Sequence, residues 1–196
     1  MTAKNGRDAG RTVHVARRTT ALAALTISLS AVALAALPAR AAAYELLGHR
    51  WSTSTITYRV AAARYVPAVE RAARAWNRAG AGVRFRRTSG AEADVVLRYG
   101  GAPCDGLAEI AYRRSSPVAV WLGRGCATRV ITLTAVHELG HVVGLDHEPR
   151  ACARMNRSAD RDGTPDRCGR RTLASWLARP LTAGDLRGAR ALFQEN

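Results

Sequence analysis

The sequence predicts an α+β fold: a twisted five-stranded sheet, a central histidine-bearing helix packed on it, and a C-terminal helix. Three observations predict it. Five short β-prone runs are separated by Gly, Ser, Pro and Asp; apolar residues recur at helical spacing ahead of the second run; and residues 137–147 read HELGHVVGLDH, a helical segment broken by a glycine.

The first run, Ser54 to Val60 (STITYRV), alternates as a strand does, and Pro67 to Arg78 then sets Val69, Ala72, Ala73 and Trp76 on one helical face. Val83 to Arg87, Ala93 to Tyr99, Leu107 to Tyr112 and Val118 to Leu122 supply the other strands. A helix from about Thr132 to Gly144 packs against the sheet. A last helix, about Thr182 to Phe193, completes a small lower part and leaves a cleft between. Trp51, Trp76 and Trp121 read as core aromatics.

The chemistry lies in the histidine segment. Residues four apart share a helix face, so His137 and His141 aim two imidazoles at one point about 2 Å from each nitrogen, the reach of a Zn²⁺ ligand. Glu138 is rotated by about 100° from His137, off the metal but within reach of a water at its open position. Gly144 tolerates the positive φ of a sharp helix exit, which lets the chain return His147 as third ligand. Leu139, Val142, Val143 and Leu145, with Val130, Ile131, Leu133 and Val136 upstream, make this a buried helix. Three converging buried imidazoles call for a cation. A three-ligand zinc with an adjacent carboxylate points to metal-assisted hydrolysis.

HExxHxxGxxH resembles the signature of the metzincin clan of zinc metalloendopeptidases at every defining position. The resemblance implies a metzincin-like (zincin) catalytic domain and a methionine packed in a turn beneath the metal. Met155 stands eight residues after His147, a spacing similar to that of matrixins and shorter than in astacins. Leu181 to Phe193, LTAGDLRGARALF, resembles the closing helix of matrixin domains, with Asp185 at the second of its paired acids and Gly184 at the first. Asp185 can equally form an N-terminal capping pair with Thr182. Glu148 matches astacins at the position after the third histidine, so the matrixin-like placement is mixed. The metzincin plan also implies an edge strand that pairs with substrate backbone. Gly106 to Tyr112 is the candidate and Val118 to Leu122 the alternative. Asp160, Asp162 and Asp166 read as a solvated loop in preference to a calcium site.

Residues 1–43 read as a secretory signal peptide, with a basic start (Arg7, Arg11, Arg17, Arg18), an apolar run from Ala21 to Leu37 and small residues at a cleavage point near 41–43. An uncleaved anchor is the competing reading. Residues 44–196 then form one catalytic domain, expected to be secreted, extracellular and monomeric. Cys104, Cys126, Cys152 and Cys168 suit two disulfides in an exported protein, with neighbours paired in the favoured scheme. Beyond residue 43 there are 24 arginines, no lysine and 14 acids, a net charge of +10. That surface suits anionic cell-surface polymers; nucleic acid is not expected, because no recognition module accompanies the charge. The expectation is a secreted zinc endopeptidase with His137, His141 and His147 on Zn²⁺, Glu138 as base and a protein or peptide as substrate. The alternatives are a non-catalytic zinc-dependent peptide or cell-wall binding module, and a zinc hydrolase of acyl or cell-wall amide bonds.

Overall fold

The computed structural model describes residues 44–109 and 117–193. In chain order the elements are β1 (Glu45–Leu46), β2 (Thr55–Val60), α1 (Val66–Arg78), β3 (Arg84–Arg87), β4 (Val95–Tyr99), β5 (Gly106–Ala108), β6 (Val118–Leu122), α2 (Thr128–Val143), β7 (Leu145–Asp146), α3 (Leu173–Ala178) and α4 (Ala183–Phe193). The expected signal peptide, residues 1–43, lies outside the described residues, as do 110–112 of the expected edge strand. Among the described residues no helix is long and apolar enough to cross a membrane.

Five strands form one sheet in the order β3-β2-β4-β6-β5. The β2–β3, β2–β4 and β4–β6 pairs are parallel, and β5 runs antiparallel to β6. The sheet has the expected five strands, with β5 shortened to three residues. Gly106 to Ala108 sits at the edge and Val118 to Leu122 inside, which selects the first of the two candidate edge strands.

Helix α1 buries Val69, Ala72, Ala73 and Trp76, the face read from the sequence. α2 buries residues nearly all round, as a helix walled in on every side must. It begins four residues earlier than expected, at Thr128: its N-cap, Ala127, makes no side-chain cap bond, so the usual sequence marker of a helix start is missing. Two indoles hold α2 in place, Trp76 Nε1 donating to the Val136 carbonyl at 3.0 Å and Trp51 Nε1 to that of Val142 at 2.6 Å. Trp121 is only half-buried, a departure from the expected core position, because it lies on the face of β6 away from Val120 and Leu122.

Gly144 ends α2 with φ +116°, the left-handed exit anticipated for it. The chain then runs straight into β7, which pairs antiparallel with β1 so that Glu45 faces Asp146 and Leu46 faces Leu145. This two-stranded ribbon fixes the segment before His147. Cys104 pairs with Cys126 and Cys152 with Cys168, the favoured scheme. Helix α3 was not foreseen; Trp176, fully buried with Leu133 and Cys168, anchors it.

Candidate metal centre

α2 carries His137 and His141 one turn apart, and β7 delivers His147 from below. Each imidazole on α2 is clamped through its Nδ1: His137 to the Arg154 carbonyl and His141 to the Leu145 carbonyl, both at 2.8 Å. A carbonyl can only accept, so Nδ1 carries the proton in each ring and Nε2 presents a lone pair. His141 Nε2 lies 3.1 Å from His137 Nε2 and 3.2 Å from His147 Nε2. Nε2 atoms of His137 and His141 therefore face one another with no proton between them, an arrangement a cation relieves. Tetrahedral zinc with bonds near ~2.05 Å requires ligand nitrogens about 3.3 Å apart, so the spacing fits that ion. Among the described residues these three histidines form the only group able to hold a metal. Asp160, Asp162 and Asp166 are exposed and form no such group.

Burial pushes the His137 imidazole down to about 3, with the neighbouring His141 adding to the shift, and His141 itself to about 4. His147 is lowered by burial and then by the Arg157 charge. All three stay neutral, the form that binds metal.

Glu138 is buried on the same helix, and its carboxyl is pushed up to about 8 by burial and then by the Asp105 charge. A divalent cation nearby would pull it back toward ionisation. The edge strand passes directly over it. A Cβ built on Gly106 would collide with Glu138 Oε1 and come within 2.6 Å of Thr134 Cγ2. Gly106 is thus required by close approach, a reason invisible in the sequence. Gly106→Ala is expected to destabilise the domain by about 1–3 kcal/mol, because the stiff Thr134 methyl as well as the carboxylate must give way, and to lower kcat about tenfold or more by misplacing Glu138. Thermal melts beside peptide-cleavage kinetics would check this.

Glu138 and the three histidines line a cavity of about 270 Å³, walled by Gly106–Ala108 on one side and by Arg154, Asn156 to Asp160 and Gly163 on the other. A helix-borne imidazole pair, a third imidazole after a glycine exit and a carboxylate beneath the edge strand β5 thus share one cleft. The model of the astacin peptidase family matches residues 44–159, more than half of the chain. The chain belongs to the astacin family. Its domain is therefore a zinc-dependent metallopeptidase of the metzincin clan, with zinc as cofactor and proteins or peptides as substrates. No curated protein matches the chain.

Glu148, the one residue that pointed toward astacins from sequence, is buried in this astacin domain. Its Oε1 accepts from the backbone N–H groups of Arg150 (2.6 Å) and Ala151 (2.9 Å), and its own N–H donates to the Met155 carbonyl at 2.8 Å. Asn156, unanticipated, ties the same loop by donating to the Glu148 and Ala151 carbonyls. Met155 is buried beneath α2 with its Sδ against Gly140, where a side chain would displace it. It packs under the centre, as the clan resemblance implied.

Asp185 holds that turn from below. Its Oδ2 accepts from the Arg154 N–H at 3.1 Å and its Oδ1 from that of Met155 at 3.2 Å. Oδ2 also accepts from the N–H and hydroxyl of Thr182, while the Asp185 N–H returns a bond to Thr182 Oγ1. The capping pair and the clamp on the turn are therefore one device. Since the Arg154 carbonyl orients His137, Asp185 acts on the centre at one remove. Asp185→Ala leaves buried N–H groups unpaired and is expected to destabilise the domain by about 2–4 kcal/mol. Denaturant melts would measure the loss, and zinc titration should show weaker metal retention.

Proposed function

We propose that the domain is an exported endopeptidase in which His137, His141 and His147 hold the zinc and Glu138 is the general base. The reading rests on the convergence of three imidazoles beside a buried carboxylate under a strand that is the sheet's edge among the described residues. Bound zinc supplies a Lewis acid that polarises a carbonyl and makes water more acidic. The chain's own residues do the rest. The Arg154 and Leu145 carbonyls keep two imidazoles from turning away. Gly106 to Ala108 pairs with the substrate backbone as an added strand, which lays an extended peptide along the cleft. Glu138 takes the proton from the attacking water and returns it to the leaving amine.

Residues 1–43 act as the leader and 44–196 as the catalytic part, a monomer working outside the cell. The two disulfides suit that compartment. The arginine-only surface concentrates it on anionic polymers and is not a nucleic-acid site. We further assign it matrixin-like traits inside the astacin family: the short gap from His147 to Met155, and the closing helix α4, which lies beyond the matched residues.

Digestion of a peptide library, read by mass spectrometry with and without chelator, tests the proposal. Internal cuts that vanish with chelator are the expected result. Release of terminal residues alone would refute endopeptidase action. Binding without cleavage would establish the binding module instead, and peptidoglycan fragments a cell-wall amide hydrolase.

A further inference from the structure

A second cavity, of about 610 Å³, opens on the other side of α2 from the metal centre and shares only Leu133 with it. Arg71 and Arg78 reach it from one face of α1, Arg129 from the start of α2 and Arg179 from the end of α3. Among the described residues, its lining contains no acidic side chain. Among the described residues, Arg71, Arg78, Arg129 and Arg179 take part in no ion pair. Arg129 feels Asp162, whose carboxyl is held low chiefly by its bonds to Thr164 and to a lesser degree by this arginine.

Between the arginines the surface is apolar. Leu177, Leu181 and Leu186 contribute to it, and Leu177 is left 40% exposed although it is a large aliphatic side chain. The size falls within the ~300–1,000 Å³ range of small-molecule sites. Its main walls are helices, whose interior backbone groups are bonded within the helix, so an extended peptide finds little main chain to pair with. Recognition is left to apolar contact and guanidinium groups. Arginine forks bind carboxylates bidentately.

We infer that this cavity binds a medium-chain fatty acid, its carboxylate on the arginine rim and its alkyl chain along the leucine floor. Four like charges gathered round apolar surface repel one another until an anion arrives, and an anion with a tail satisfies both parts of the lining. The site is separate from the proposed peptidase cleft and does not depend on its assignment.

Isothermal titration of the zinc-loaded protein with decanoate, below its micellar concentration, provides the test. Saturable binding of one molecule per chain is expected. Decanol and acetate, which carry only tail or head, should each bind about tenfold more weakly or worse. The double variant Arg78→Gln/Arg179→Gln should lose about tenfold in affinity while keeping wild-type peptidase activity. Leu177→Asp, at an exposed position that tolerates polarity, should lose a similar factor. Absence of saturable decanoate binding, equal affinity for decanol, tighter binding of inorganic phosphate or of an acidic peptide, or unchanged affinity in either variant would overturn the inference.

Discussion

Glu138→Gln is expected to abolish peptide hydrolysis while leaving zinc bound and the fold intact. Glutamine has nearly the volume of glutamate, so the buried pocket under Gly106 still accepts it. It cannot take a proton from water, and general-base catalysis contributes about 10²–10⁴-fold. Because no zinc ligand changes, metal content by mass spectrometry should remain at the wild-type level. The same variant carries a second signature. In metal-free protein the Glu138 carboxyl sits at about 8 against 4.5 unfolded, so the folded state holds a proton that the unfolded state has released between those values. This group's stabilising contribution is full below pH 4.5 and lost as pH rises through about 8. Glu138→Gln removes that loss, and metal-free melts across this range should be flatter for the variant. Wild-type turnover in Glu138→Gln would refute the base assignment outright.

Removing the zinc, by chelation or by His141→Ala, is expected to reduce cleavage to background and to lower the melting temperature. An ion that binds only the folded chain stabilises it by about 4 kcal/mol when free metal exceeds Kd a thousandfold. Acid should do what a chelator does. His137 and His141 stand at about 3 and about 4 when folded against 6.5 unfolded, so below pH 6.5 the unfolded chain takes up protons that the folded chain refuses. Metal-free stability from these two groups is full above pH 6.5 and falls as pH drops through about 4 for His141 and about 3 for His137. Protons also compete with metal for the same nitrogens. Zinc release and melting temperature measured from pH 7 to 4 should therefore fall together; a protein that keeps its melting temperature on chelation would contradict a metal seated among these rings.

The centre was legible because its grammar is local. His137, Glu138 and His141 are placed by the pitch of one helix, and Gly144 by the sterics of one positive φ, so spacing alone specifies them. The five strands were legible for a similar reason: Ser54 to Val60 alternates, and the other four are short β-prone runs bounded by turn residues. Less local features escaped. The early start of α2 had no capping side chain to announce it. Helix α3 is six residues long, too short for a periodic pattern, and is held by Trp176 against Leu133. The Arg154 carbonyl that orients His137 is a backbone group, common to every residue, and has no signature of its own. The family was drawn two ways, toward matrixins by the Met155 spacing and toward astacins by Glu148. The match over residues 44–159 settles it for astacins.

By itself the sequence determined the histidine trio, the neighbouring acid, the five strands of the main sheet, three of the four α-helices and an even set of cysteines. All of these follow from residue type and from periods shorter than two helical turns. Tertiary structure alone decided that Gly106 lies against Glu138, that Asp185 holds the turn under the metal while capping its own helix, and that four arginines ring a second cavity. Those juxtapositions join residues from distant parts of the chain. Their energies come from packing density and from buried N–H groups that must find acceptors, and these quantities exist only once the chain has closed on itself.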